Sequence, residues 1–213
     1  MEIQCLIFDL DGTLVDSEGL CNQAFLDLLP ALGDSVHSLV QRYRGVKMAN
    51  ILADLERRLQ TTLPADFESR YRQHVSTLFA AHLKPMPGVF QMLSALPHRY
   101  CIASSGPMPK IRQSLQVSGL ARYFDENVFS SYEVKSWKPD PGLFLHAAGT
   151  MGVQAEHCVV VEDSDVGIAA GVAAGMRTLR YAPAPVSGAP PADGSFSDML
   201  ALTRLLERMA TRA

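Results

Sequence analysis

No basic run occurs anywhere in the chain: its 19 lysines and arginines are scattered among 22 aspartates and glutamates, giving a formal net charge of −3. That balance argues against a nucleic-acid-binding surface, which needs clustered positive charge. No apolar stretch reaches the roughly 20 residues of a membrane helix. Cysteine is scarce, and the four present (Cys5, Cys21, Cys101, Cys158) have no metal or redox spacing. Three of them fall in or beside apolar strands and read as small buried hydrophobes. The first strand starts almost at the N-terminus, so no signal peptide is expected and the expected location is cytoplasmic. No internal repeat is visible. With 213 residues, the chain forms one large domain or a core with a smaller companion, burying about two-thirds or more of its unfolded surface.

What is present begins with Ile3, Cys5, Leu6, Ile7 and Phe8, an apolar run that reads as a fully buried strand of a parallel sheet. Asp9-Leu10-Asp11-Gly12-Thr13 follows where that strand must end. Open α/β sheets bind ligands outside the carboxyl ends of their strands, so chemistry is expected there. Two carboxylates held so close repel, and a bound cation would relieve the repulsion. An acidic turn after a strand would look the same in isolation.

The pattern then turns helical until about Pro85. Glu18 to Leu29, Val36 to Tyr43, Met48 to Leu59 and Ala65 to Leu83 carry apolar residues at helical spacing. Strand and helix alternate afterwards: helices near Val89–Leu96, Pro109–Val117, Pro141–Met151 and Val166–Ala174, strands at Tyr100–Ser104, Val128–Phe129, Cys158–Val161 and a last one at Thr178–Tyr181. Such alternation predicts a parallel sheet covered by helices. The four-helix stretch becomes a separate inserted cap. Ala182 to Ser195 reads as a Pro-, Ala- and Gly-rich loop, with a final helix from about Ser197.

Three further segments stand near strand ends or turns. Ser104-Ser105-Gly106 follows an apolar run and precedes a helix, which suits an anion cradle or a polar helix cap equally well. Lys138 is flanked by Trp137 and Pro139, which restrains the backbone there. Glu162-Asp163-Ser164 closes a run of valines and also suits the N-terminus of a helix. The dense small residues from Gly167 to Gly175 read as a helix packed close to the sheet, not as a nucleotide loop.

Taken in order, Asp9-Leu10-Asp11-Gly12-Thr13, Ser104, Lys138 and Glu162-Asp163-Ser164 resemble the four motifs of the haloacid dehalogenase-superfamily phosphatases. The resemblance spans essentially the whole chain. It implies a Rossmann-like catalytic core from residues 1–15 and 86–213, with an all-helical cap over residues 16–85. It implies Asp9 as a nucleophile that forms an aspartyl-phosphate, and Asp11 as the acid and base beside it. It implies Mg²⁺ held by the Asp9 side chain, the Asp11 backbone carbonyl and Asp163, with Glu162 binding directly or through water. Ser104 and Ser105 would bind phosphate, and Lys138 would neutralise the phosphoryl oxygens.

For the substrate, Arg44-Gly45-Val46-Lys47 lies at the junction of two cap helices. Two cations around a glycine suit an acidic sugar phosphate, although solvated helix-end charges would read alike. Together with Val128-Phe129-Ser130-Ser131-Tyr132 and Trp137-Lys138-Pro139-Asp140-Pro141, this segment is similar to a bacterial subgroup acting on 6-phosphogluconate. Trp137 stands where the wider family commonly has glycine, which weakens any substrate carried over from that wider family. The expected partner is a small phosphorylated metabolite, with no nucleic acid and no membrane, and the chain a monomer or weak homo-oligomer. A dehalogenase would not require the full carboxylate set. A sugar phosphomutase would use the same residues, but its usual cap arginine is replaced by the Met48-Ala49 stretch. A non-catalytic phosphometabolite-binding protein is the third class.

Overall fold

The structure is a computed structural model that describes residues 2–124, 126–183 and 192–211. A six-stranded sheet in the order β3-β2-β1-β4-β5-β6 organises the chain, with every neighbouring pair parallel. The strands are β1 Cys5–Phe8, β2 Arg99–Ser104, β3 Val128–Ser130, β4 Cys158–Glu162, β5 Arg177–Tyr181 and β6 Gly194–Phe196. All of β1 and β4 is buried. That accounts for their unbroken apolar sequence, since helices cover both faces of a parallel sheet.

The period of two sorts these strands into two cores. Leu6, Phe8, Ile102, Val159 and Val161 face one layer, while Cys5, Ile7, Cys101, Ala103, Cys158 and Val160 face the other. The second layer is filled by Leu143, Phe144, Ala147 and Ala148 of one helix and Ala170 of another. Gly171 lets that latter helix close on the sheet: a Cβ there would lie 2.6 Å from Thr178 Cγ2.

The helices are α1 Glu18–Leu28, α2 Val36–Tyr43, α3 Met48–Leu59, α4 Phe67–His82, α5 Val89–Ala95, α6 Met108–Val117, α7 Ala121–Phe124, α8 Ser131–Val134, α9 Gly142–Thr150, α10 Asp165–Ala173 and α11 Leu202–Thr211. Helices α1 to α4 lie between β1 and β2 in the chain. Phe25 of α1 stacks on Tyr71 of α4 with ring centroids 4.1 Å apart and meets Tyr43 of α2 edge-on. The chain enters and leaves this insert side by side: the Asp16 N–H donates to the Lys84 carbonyl and the Met86 N–H to that of Leu14, each at 2.9 Å. Among the described residues, no helix is long and apolar enough to cross a membrane.

The expectation of a loop from Ala182 to Ser195 needs correction. Residues 184–191 lie outside the described residues, but Gly194–Phe196 forms β6 against β5. Gly-Ser-Phe has neither the length nor the β-branched residues that mark a strand. Its place is fixed by Phe196, buried beside Tyr181. The final helix begins at Leu202, after a 3₁₀ turn at Met199–Ala201. The four-residue helices α7 and α8 are too short to show a helical period.

Candidate active site

The carboxyl ends of β1, β2 and β4 meet where the strand order reverses, which is the expected ligand crevice of such a sheet. Asp9 leaves β1 there, its N–H donating to the Val161 carbonyl of β4. Its carboxylate is buried and accepts a 2.6 Å hydrogen bond from Lys138 Nζ. The same ammonium donates to Glu162 Oε1 at 2.7 Å. Gly12, at φ +80°, turns the chain so tightly past Asp163 that a Cβ would lie 2.5 Å from Oδ2. The acid-rich turn thus needs glycine for both its backbone angle and its clearance.

Asp9, Glu162 and Asp163 form one buried group whose ligand oxygens all lie within 4.8 Å of one another. A buried ammonium, Lys138, pairs with two of the three, Asp9 and Glu162. Among the described residues the Asp163 carboxylate has only long contacts, 3.4 Å from Thr13 Oγ1 and 3.5 Å from Arg44 Nε. Burial holds its carboxyl well above the ordinary range, with Glu162 and Asp9 adding repulsion. Burial also pushes Asp9 up to about 7, against the attraction of Lys138. An under-neutralised set of hard oxygen donors suits a divalent cation such as Mg²⁺.

Glu162 differs from its neighbours. Besides Lys138 on Oε1, its Oε2 accepts from the Ser164 N–H at 2.7 Å and from Ser164 Oγ at 2.9 Å. With both oxygens engaged, it holds the lysine and the β4–α10 turn. Arg180 of β5 fixes that turn from below, donating to the Asp163 carbonyl and pairing with Asp165 at 2.9 Å.

Asp11 points another way. Its Oδ1 accepts from Ser17 Oγ at 2.6 Å and from Lys110 Nζ at 2.7 Å. Burial works against its charge, but Lys110 and Ser17 outweigh it and hold the carboxyl below its usual range. Glu18, at the start of α1, is pushed up to about 7 by burial and then by Asp11. Ser104 ends β2 and is buried, with its Oγ accepting the Gly106 N–H at 3.1 Å. In this state it closes the turn, while Ser105 and Gly106 line the cavity.

That cavity, of about 630 Å³, is bounded by Asp9, Asp11, Lys138 and Asp163 and by side chains of the helical insert. Arg44 and Lys47 do not act as a pair. Arg44 reaches Asp163, whereas Lys47 Nζ sits 3.9 Å above the Trp137 ring centre. Lys110, Glu18, Arg72 and Tyr132 also line the cavity; the sequence gives no site role to the first three and shows Tyr132 only within a longer matching segment. Lys110 follows the Ser-Ser-Gly turn by one helical turn, which was the available signal. Arg72 and Tyr132 are 60 residues apart, and nothing local joins them.

The haloacid dehalogenase-like hydrolase family matches residues 3–175. The chain is 35% identical to a 6-phosphogluconate phosphatase of Escherichia coli, over 84% of this chain and 82% of that protein. It is 30% identical to a phosphorylated carbohydrates phosphatase of Thermotoga maritima, over 83% of this chain and 84% of that one. A solved haloacid dehalogenase-like protein of Agrobacterium tumefaciens superposes with a TM-score of 0.84 at 32% identity, covering 98% of this chain and 99% of its own. Matched by that family over most of its length and 35% identical to one of its phosphatases, the chain belongs to the haloacid dehalogenase-like hydrolases.

Proposed function

We propose that this hydrolase is a Mg²⁺-dependent phosphatase of small phosphorylated carbohydrates, 6-phosphogluconate being the first substrate to test. One observation carries the reading: Asp9 is held by Lys138 inside a buried carboxylate cluster that opens on a cavity large enough for a sugar phosphate. The two named bacterial phosphatases support the substrate class.

The chain's own groups divide the work. An Asp9 carboxylate oxygen attacks phosphorus, the ester P–O bond breaks, and Asp11 gives its proton to the departing alkoxide. Water then attacks the aspartyl-phosphate while Asp11 takes its proton, releasing inorganic phosphate and restoring Asp9. Lys138 meets the negative charge of the phosphoryl oxygens from a fixed position, with no side-chain rearrangement. Lys110 favours ionised Asp11, the form needed for the water step. Asp9, Asp163 and the Asp11 backbone carbonyl would hold Mg²⁺, which would supply positive charge to both phosphate and nucleophile. Residues 16–85 act as a cap that closes over the core and excludes water, with Arg44 and Lys47 on its rim.

The test is phosphate release from sugar phosphates and 6-phosphogluconate, with Mg²⁺ and with EDTA. Mg²⁺-dependent release led by 6-phosphogluconate supports the whole reading. Release led by another ester keeps the chemistry and replaces the substrate, and no release from any ester overturns both.

A further inference from the structure

Resting on the phosphatase reading above, we infer that Arg72, held between Glu68 and Tyr132, binds the hydroxyl chain of a six-carbon polyol phosphate. Arg72 projects from α4, on the insert, and none of its bonds goes to the carboxylate cluster. Its Nε donates to Glu68 Oε1 at 2.9 Å, and its Nη2 donates to Tyr132 Oη, across on α8, at 2.9 Å. Tyr132 packs edge-on to Trp137 with centroids 5.6 Å apart, and Lys47 covers the Trp137 ring. All five residues line the same cavity as Asp9.

The chemistry of this corner favours neutral hydroxyls. Glu68 compensates the charge of Arg72, so that pair presents hydrogen-bonding groups rather than a net charge, and the charge of Lys47 lies apart from it over the Trp137 ring. Among the described residues, Arg72 Nη1 and Glu68 Oε2 have no protein partner, leaving the two N–H groups of Nη1 as donors and Oε2 as an acceptor. The Tyr132 hydroxyl can both donate and accept. A donor, an acceptor and a hydroxyl beside aromatic rings match a chain of vicinal alcohols. Arg72 is fixed by two partners before substrate arrives, which reduces the entropy lost on binding. The cavity volume lies within the range of sites that enclose a whole small molecule, well beyond one phosphate group.

The competing role is a brace, because the Arg72–Tyr132 bond also ties the insert to the core. Steady-state kinetics separate the two. Tyr132→Phe and Arg72→Met are compared with the unaltered enzyme on 6-phosphogluconate, a hexitol phosphate, two-carbon phosphoglycolate and p-nitrophenyl phosphate. The expected result is a KM for the six-carbon substrates raised about tenfold, equivalent to about 1.4 kcal/mol. Their kcat and both constants for the other two esters should stay within about twofold. Equal losses on every ester make the pair a brace and overturn the inference, as does no change on any. If Arg72→Met fails to fold, Tyr132→Phe carries the test, since it removes one oxygen. An unaltered enzyme that cleaves p-nitrophenyl phosphate but no polyol phosphate overturns this inference and leaves the phosphatase chemistry standing. If it cleaves no ester, the phosphatase reading fails first and the inference with it.

Discussion

Gly167 has no side chain where the Glu162 carboxylate lies: a Cβ built on it would fall 1.8 Å from Oε1. Gly167→Ala must therefore move Glu162, which in turn anchors Lys138. The expected cost is about 1–3 kcal/mol of stability, typical of overpacking. On the proposed mechanism a fall in kcat of about a hundredfold or more should accompany it, since a displaced lysine would no longer meet the phosphoryl charge. Thermal melting and initial rates on one ester check both.

Asp9→Asn should abolish turnover and leave the fold intact. Burial already disfavours the charge at this position, and the amide keeps the shape. Melting in EDTA should therefore match or exceed that of the unaltered protein, while phosphate release drops to background. An active Asp9→Asn would remove the nucleophile assignment.

Lys138→Met should do the reverse to stability. It strips the ammonium from Asp9 and Glu162 and leaves two buried carboxylates facing one another. Breaking a buried pair in this way costs about 3–5 kcal/mol. Denaturant melts at neutral pH would show it, and the deficit should shrink in acid, where the carboxylates are protonated.

Stability without metal should fall as pH rises from about 4 to 7. Asp9 and Glu18 both have folded-state values near 7, raised first by burial. A carboxyl with a raised folded value binds its proton more tightly in the native state, so the stabilisation is present in acid. It is lost as pH climbs through the folded value. Melting temperatures across that window in EDTA should decline. Added Mg²⁺ should flatten the decline, because a cation bound only by the native state stabilises it.

Lys47→Met tests the cation above Trp137. Lys47 makes no salt bridge to a carboxylate among the described residues. It is thus available to the carboxylate of a sugar acid. The variant should lose about tenfold in kcat/KM on 6-phosphogluconate, or about 1.4 kcal/mol, and less than about twofold on a neutral hexitol phosphate.

The parts of this fold legible in sequence are those whose signal is local. β1 and β4 announce themselves because strands buried on both faces must be apolar throughout, and the motifs at their ends follow at once. β6 was hidden because three residues, Gly194-Ser195-Phe196, take their conformation from β5 rather than from propensity. The site shows the same division. Asp9 stands directly after an apolar run, whereas Asp163 entered the site only through the resemblance to the family's motifs. The Asp11–Lys110 bond spans 99 residues and that of Arg72 with Tyr132 spans 60. Such pairs arise from the way α4, α6 and α8 meet, which no window of sequence contains.

The side-by-side entry and exit of the insert at Leu14–Asp16 and Lys84–Met86 has an evolutionary consequence. A segment whose two ends already lie a hydrogen bond apart can be lengthened, shortened or exchanged without displacing the strands it interrupts. The part of the cavity wall that the insert supplies is then encoded in one stretch of gene that can drift apart from the strands and their carboxylates. A hybrid carrying a relative's residues between those two junctions should fold with the recipient's sheet and its Asp9, Glu162 and Asp163 cluster in place.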